Sequence, residues 1–272
     1  MDMPHLPAQT GTWIRQAIDS AAPGTIAAQV PAGYAAYARI LHPAMDEDGA
    51  PVSWGGIAAL RGHRLQGADL FEDVSGLDEH GDPQQEDAWV DGDVPAYELP
   101  IDQWGALVEL LSGHTEPGPA AAPYVAGLWG GYAFIEGGER IQIDFEPDPN
   151  ADAEHNRQAH ARALAEAQRP GLPAAVRTAP RLDLGGGYRN YLLFALNREQ
   201  LANPLWASTT AGEQRQRPSL AFPHDHSWML STEPYDDSTI LGGSRALIDA
   251  VLGSDALEAL EVGELTRIGH SA

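Results

Sequence analysis

The chain has no cysteine and no lysine; all 16 of its basic residues are arginine. Without cysteine there is no disulfide, no thiolate metal site, no iron–sulfur cluster and no cysteine nucleophile. Without lysine there is no Schiff base and no phosphate-loop lysine, which removes pyridoxal-phosphate enzymes and P-loop nucleotide hydrolases. No apolar run approaches the roughly 18 residues that a membrane span requires. Met1 to Gly11 also lacks the basic-then-apolar order of a secretory signal. These absences lead us to expect a cytoplasmic protein with no membrane partner. The familiar catalytic signatures G-x-S-x-G, H-E-x-x-H and strand-borne G-x-G-x-x-G are missing as well.

Negative charge is what the chain has in excess. Its 39 acidic residues give a formal net charge of −23, which repels nucleic acid and anionic lipid. Nucleic acid is therefore not an expected partner. Three origins suit such a charge: adaptation to a salty or GC-rich host, avoidance of self-association, and imitation of nucleic acid toward a basic protein. The acidity is uneven. Ala44 to Pro100 holds fourteen acidic residues against Arg61 and Arg64, more than half of the net charge. Within it, Asp69 to Val94 is rich in turn residues and poor in apolar periodicity, and reads as a long solvated loop with short pieces of structure at most.

At 272 residues and 43% hydrophobic, the chain fits a single globular domain over residues 1–272, with residues 115–123 as the place where a subdivision would fall. Trp13, Ile14, Ala17 and Ile18 lie on one helical face behind Thr10 or Thr12 as N-cap. Further helices are expected over Trp54 to Arg61, from an Asp102 cap through Trp104, Leu107, Val108 and Leu111, from Ser244 through Leu247, Ile248 and Val251, and briefly over Ala256 to Leu260. Asp152 to Gln168, with Leu164 its one large apolar residue, reads as an exposed helix or connection. Strands are expected over Tyr34 to Leu41, Tyr124 to Trp129, Tyr132 to Ile135, Arg140 to Glu146, Tyr188 to Leu196 and Asp225 to Thr232, with a hairpin about Gly137-Gly138. Neighbouring strands without regular βαβ alternation predict an α+β fold: an antiparallel or mixed sheet flanked by a few helices, with long acidic loops.

Chemistry-bearing residues are sparse. Asp148, Asn150 and Asp152 imitate the start of a calcium loop, but Ala153 and Ala159 stand where its glycine and its bidentate glutamate belong. The richest polar stretch is His224-Asp225-His226, with Trp228 and Glu233 close behind. On an extended chain His224 and His226 point the same way, and with a carboxylate such as Glu233 they form the one weak metal-ligand candidate.

Val30-Pro31-Ala32-Gly33-Tyr34, Tyr37 through Pro43, His114-Thr115, Trp129-Gly130-Gly131-Tyr132, Arg189 through Phe194, and Phe222 through Trp228 with Thr232-Glu233 and Gly242-Gly243-Ser244 resemble, in order and spacing, a group of uncharacterised actinobacterial proteins. Ala221-Phe222 departs from the two tryptophans of that pattern, and Asp152 to Arg169 looks like an insertion. The resemblance implies no activity. Within it Arg39, His42, Trp228 and Glu233 stand out, each as a buried structural partner or as part of a pocket. The leading expectation is a non-catalytic, cofactor-free binding protein, of the immunity or antitoxin kind, whose acidic surface covers a basic protein partner. A metal-assisted hydrolase built on His224 and His226, and an acidic nucleic-acid mimic, are the alternatives.

Overall fold

The computed structural model describes residues 3–78, 80–116, 122–138, 143, 145–209 and 212–268. It has the expected α+β architecture, built on a nine-stranded sheet in which every strand pair is antiparallel. Across the sheet the order is His5–Leu6, Asn190–Leu196, Tyr124–Trp129, Leu220–Pro223, Met229–Ser231, Ser238–Gly243, Ala36–Leu41 and Ala259–Val262, with Leu182–Asp183 also paired to Asn190–Leu196.

Both faces of this sheet are covered, so its central strands read as continuous apolar runs and not as alternating ones. Ala36, Ala38 and Ile40 enter one core with Trp104, Leu107, Val108 and Leu111 of the Ile101–Gly113 helix and with Leu247, Ile248 and Val251 of the Arg245–Leu252 helix. Tyr37 and Ile240 enter the opposite core, with Ile14 and Ile18 of the Thr12–Ile18 helix and with Phe222 and Met229. Among the described residues, no helix is long and apolar enough to cross a membrane.

Several expectations are corrected here. The Thr12–Ile18 helix runs on from a 3-10 turn over Ala8–Gly11, so neither Thr10 nor Thr12 caps it. Asp102 lies inside the first turn of its helix, whose N-cap is Pro100. Tyr132 to Ile135 is not a strand: Ala133–Glu136 is helical, and Gly138 bonds to the Gln168 carbonyl where the hairpin was expected. Of the expected strand Arg140 to Glu146, residues 140–142 and 144 lie outside the described residues, while Ile143, Phe145 and Glu146 carry no strand. Residues 117–121 of the possible subdivision also lie outside them. Ala256 to Leu260 gives way to the edge strand Ala259–Val262, which pairs with Ala36–Leu41.

Asp69 to Val94 holds the short pieces of structure expected of it, but it is not solvated throughout. The Phe71–Ser75 helix brings Phe71 and Val74, with Leu77 and Trp89, against Trp54, Ile57 and Ala58 of the Trp54–Leu60 helix, closing a third core over Leu41 and Ala44. Gly92–Asp93 pairs with Ala44–Asp46, and a side chain at Gly92 would collide with the Met45 carbonyl. Ser53 caps the Trp54–Leu60 helix, and Glu258 accepts the N–H groups of Trp54 and Gly55 at 2.6 and 2.7 Å, where the helix dipole favours a carboxylate. The acidic segment is thus a folded lobe fastened to the sheet edge. Glu47, Asp48, Asp73, Asp82, Glu86, Asp87, Asp91 and Asp93 are exposed on it.

Candidate functional site

The candidate residues divide between the two ends of the Met229–Ser231 strand. His224, Asp225 and His226 form an exposed turn after Leu220–Pro223, and the expected strand from Asp225 begins only at Met229. His226 has a φ of 55°, in the left-handed region, so the alternation that would aim it alongside His224 does not apply. Its ring stacks on Trp13 at 4.1 Å, its carbonyl accepts the Tyr34 hydroxyl, and Asp225 accepts the Ser227 N–H. Among the described residues no three His, Asp or Glu side chains are grouped to hold a metal ion. Trp228 is fully buried and donates its indole N–H to Thr115 Oγ1 at 2.8 Å, a packing role.

Glu233, Arg39 and His42 meet at the other end, where residues 232–237 turn the chain from Met229–Ser231 into Ser238–Gly243. Three carboxylates on this turn point into a largely buried polar layer. Glu233 pairs with Arg189 at 2.6 Å and accepts the Tyr191 hydroxyl at 3.2 Å; burial, then Glu233, pushes the Tyr191 hydroxyl well above its usual range. Asp237 accepts from Arg39 at 3.1 Å. Arg39 is 1% exposed and also donates to Ser238 Oγ and to the carbonyls of Gly67 and Asp69, with Trp54 5.3 Å away as a cation–π partner. Asp236 pairs with no arginine among the described residues and accepts from Gln29 at 2.9 Å. Burial raises its carboxyl to about 7, the Gln29 hydrogen bond and Arg39 pull it down, and Glu233 and Asp237 push it further up.

His42 is sealed beneath the turn. Nδ1 lies 2.8 Å from the Ala96 carbonyl and Nε2 lies 3.0 Å from Thr239 Oγ1. Burial lowers its pKa to about 4, so the ring is neutral near pH 7. A carbonyl only accepts, so Nδ1 carries the proton and Nε2 accepts the Thr239 hydroxyl. Thr239 in turn accepts from Thr232, 2.7 Å away.

Two cavities open on either side of this turn. The first, about 90 Å³, is lined by Leu99, Trp104, Trp129, Tyr132, Thr232 and Thr239, with Glu98, Arg217 and Glu233 as its charged residues. The second, about 290 Å³, carries Gln29, Arg39, Asp236 and Asp237 and, from the lobe, Glu72 and Asp78. Tyr97 and Tyr235 line both and meet edge to face at 5.4 Å. Tyr235 has a φ of 73° and is 67% exposed. A tyrosine in the left-handed region costs roughly 1–2 kcal/mol, strain of the kind that concentrates at binding sites.

Of the residues that complete this double cleft, Gln29, Tyr97, Tyr132, Arg217, Tyr235, Asp236 and Asp237 did not stand out as site residues in the sequence. One signal was there: Thr232-Glu-Pro-Tyr-Asp-Asp237, three acids and a proline between two apolar runs. The chain matches no family model, no curated protein and no solved structure. The reading of the site therefore rests on its own geometry.

Proposed function

We propose that this chain is a non-catalytic binding protein, in a cytoplasmic setting, that takes a positively charged group of a basic protein partner into the double cleft. The observation that carries this reading is the second chamber. Glu72, Asp78, Asp236 and Asp237 line it with a single arginine, and Arg39 has four of its five N–H groups bonded within the protein. The chamber is electrostatically negative, and the exposed acids of the adjoining lobe extend that field toward an approaching cation. Glu233 and Asp237 are each held by an arginine, which leaves Asp236 as the carboxylate of the turn with no such pair among the described residues. A protein that masks a basic partner, as immunity and antitoxin proteins do, suits this layout.

Calorimetric titration with an arginine-rich peptide tests the reading. A saturable 1:1 complex is expected, weakened about threefold to tenfold by Asp236→Asn at pH 8, where Asp236 is ionised, and little changed at pH 6, where it is mostly neutral. Equal affinity of both proteins at both pH values would remove the chamber from the interaction. A second reading has one observation behind it: a carboxyl near 7 at the edge of a cavity is also suited to general acid–base chemistry. Under that reading Asp236→Asn abolishes turnover while leaving peptide affinity at pH 8 intact.

A further inference from the structure

The smaller chamber has a wall of a different kind. Tyr132 lies against Trp129 at 5.4 Å and 80°, Trp129 against Tyr235 at 5.7 Å and 80°, and Tyr235 against Tyr97 at 5.4 Å and 85°. Each ring stands nearly perpendicular to the next, so the four enclose corners and do not form one flat stacking platform. Tyr97 and Tyr235 leave 59% and 67% of their surface exposed at the mouth. Large aromatic side chains held out in this way, one of them at a backbone cost, are unusual outside binding surfaces.

The charges lining this chamber are already balanced. Glu98 accepts the Arg217 backbone N–H at 2.8 Å and lies 3.6 Å from its guanidinium, while Glu233 is paired with Arg189. A bare ammonium entering here would give up its hydration and find its acceptors engaged. An alkylated ammonium has few or no N–H groups to satisfy, is weakly hydrated, and is drawn to the negative faces of aromatic rings. The cavity of about 90 Å³ is several times the roughly 10–15 Å³ that one water needs, which suits a compact methylated head group.

We propose that Tyr97, Trp129, Tyr132 and Tyr235 form an aromatic cage for an alkylated ammonium group. This rests on the reading of the cleft as a cation-binding site and names the cation. Such a group is carried either by a free quaternary amine or by a methylated lysine of the partner, and the test separates the two.

The full chain is titrated, by calorimetry and tryptophan fluorescence, with choline, with the uncharged alcohol in which carbon replaces choline's nitrogen, and with a peptide carrying trimethyl-lysine or unmodified lysine. Saturable binding of choline or of the methylated peptide is expected, with the uncharged or unmodified counterpart at least about tenfold weaker. Whichever of the two cationic ligands binds more tightly identifies the source. Tyr97→Ala and Tyr235→Ala, at exposed positions that leave the fold intact, should each weaken binding about tenfold with thermal stability retained. The cage is overturned if the uncharged isostere binds as well as choline, if neither cationic ligand binds, or if both tyrosine variants bind normally. If an arginine-rich peptide still binds in an Asp236-dependent way after such a result, the cage alone has failed and the wider reading of the cleft stands.

Discussion

Replacing Asp236 with asparagine should make the protein more stable, and only where the aspartate is ionised. The folded protein holds this carboxyl at about 7, against 3.8 for an ordinary aspartate, chiefly because it is buried. Between those values the folded state keeps a proton that the unfolded chain has released, so stability falls as pH rises through the window and the loss is complete above about pH 8. At 1.36 kcal/mol per tenfold the full displacement corresponds to about 4 kcal/mol. Solvent in the chamber still reaches this half-buried side chain, which brings the working figure to about 2–3 kcal/mol. Asparagine preserves an acceptor for Gln29 and never ionises. In thermal melts from pH 4 to pH 8.5 the variant should match the parent at the acid end and melt about 4–6 °C higher at pH 8. A difference that does not change with pH, or a variant less stable at pH 8, would refute the account of Asp236.

Three other perturbations probe the same layer. Because His42 is held to about 4, the unfolded chain gains a proton below about 6.5 that the folded ring refuses, so stability drops by about 3 kcal/mol as pH falls from 6.5 to 4; His42→Gln should flatten that slope in chemical-denaturation series. Glu233→Gln strands the guanidinium of Arg189 in a buried site and should cost about 3 kcal/mol in urea unfolding, part of which returns when Arg189→Met is added. Tyr235→Gly releases the left-handed strain and should raise stability by about 0.5–1 kcal/mol after the added freedom of the unfolded glycine, while binding of the alkylated ammonium weakens about tenfold; unchanged binding would place the ring outside the site.

The parts of the fold legible in the sequence are those whose partners do not matter to the pattern. Ile14 and Ile18, the run from Trp104 to Leu111, and Leu247 to Val251 each carry one apolar face whatever packs on it, and they are helices. Tyr124–Trp129 and Asn190–Leu196 are apolar enough to read as strands. Short apolar stretches such as Ala133-Phe134-Ile135 and Ala259-Leu260 do not distinguish a helical turn from a strand: the first, expected as strand, is helical, and the second, expected as the end of a helix, opens a strand. The lobe hid because Phe71, Val74, Leu77 and Trp89 are too widely spaced among acids to show a period; their burial depends on Trp54 and Ile57. Of the double cleft only Arg39, His42 and Glu233 were visible as candidates, since the sheet assembles its walls from positions as far apart as Gln29 and Tyr235.

Beside the 232–237 turn, two tyrosine side chains that meet edge to face, Tyr97 and Tyr235, are shared by both chambers. Exposed side chains change rotamer in picoseconds to nanoseconds, whereas moving backbone elements takes microseconds or longer. Tyr97 and Tyr235, both exposed, belong to the fast class, so the rings that shape one chamber can shift without moving the backbone that shapes the other. On the proposed reading, a group caged on the aromatic side and a cation beside Asp236 would share the same two ring positions, so their affinities would depend on one another without any change in the sheet.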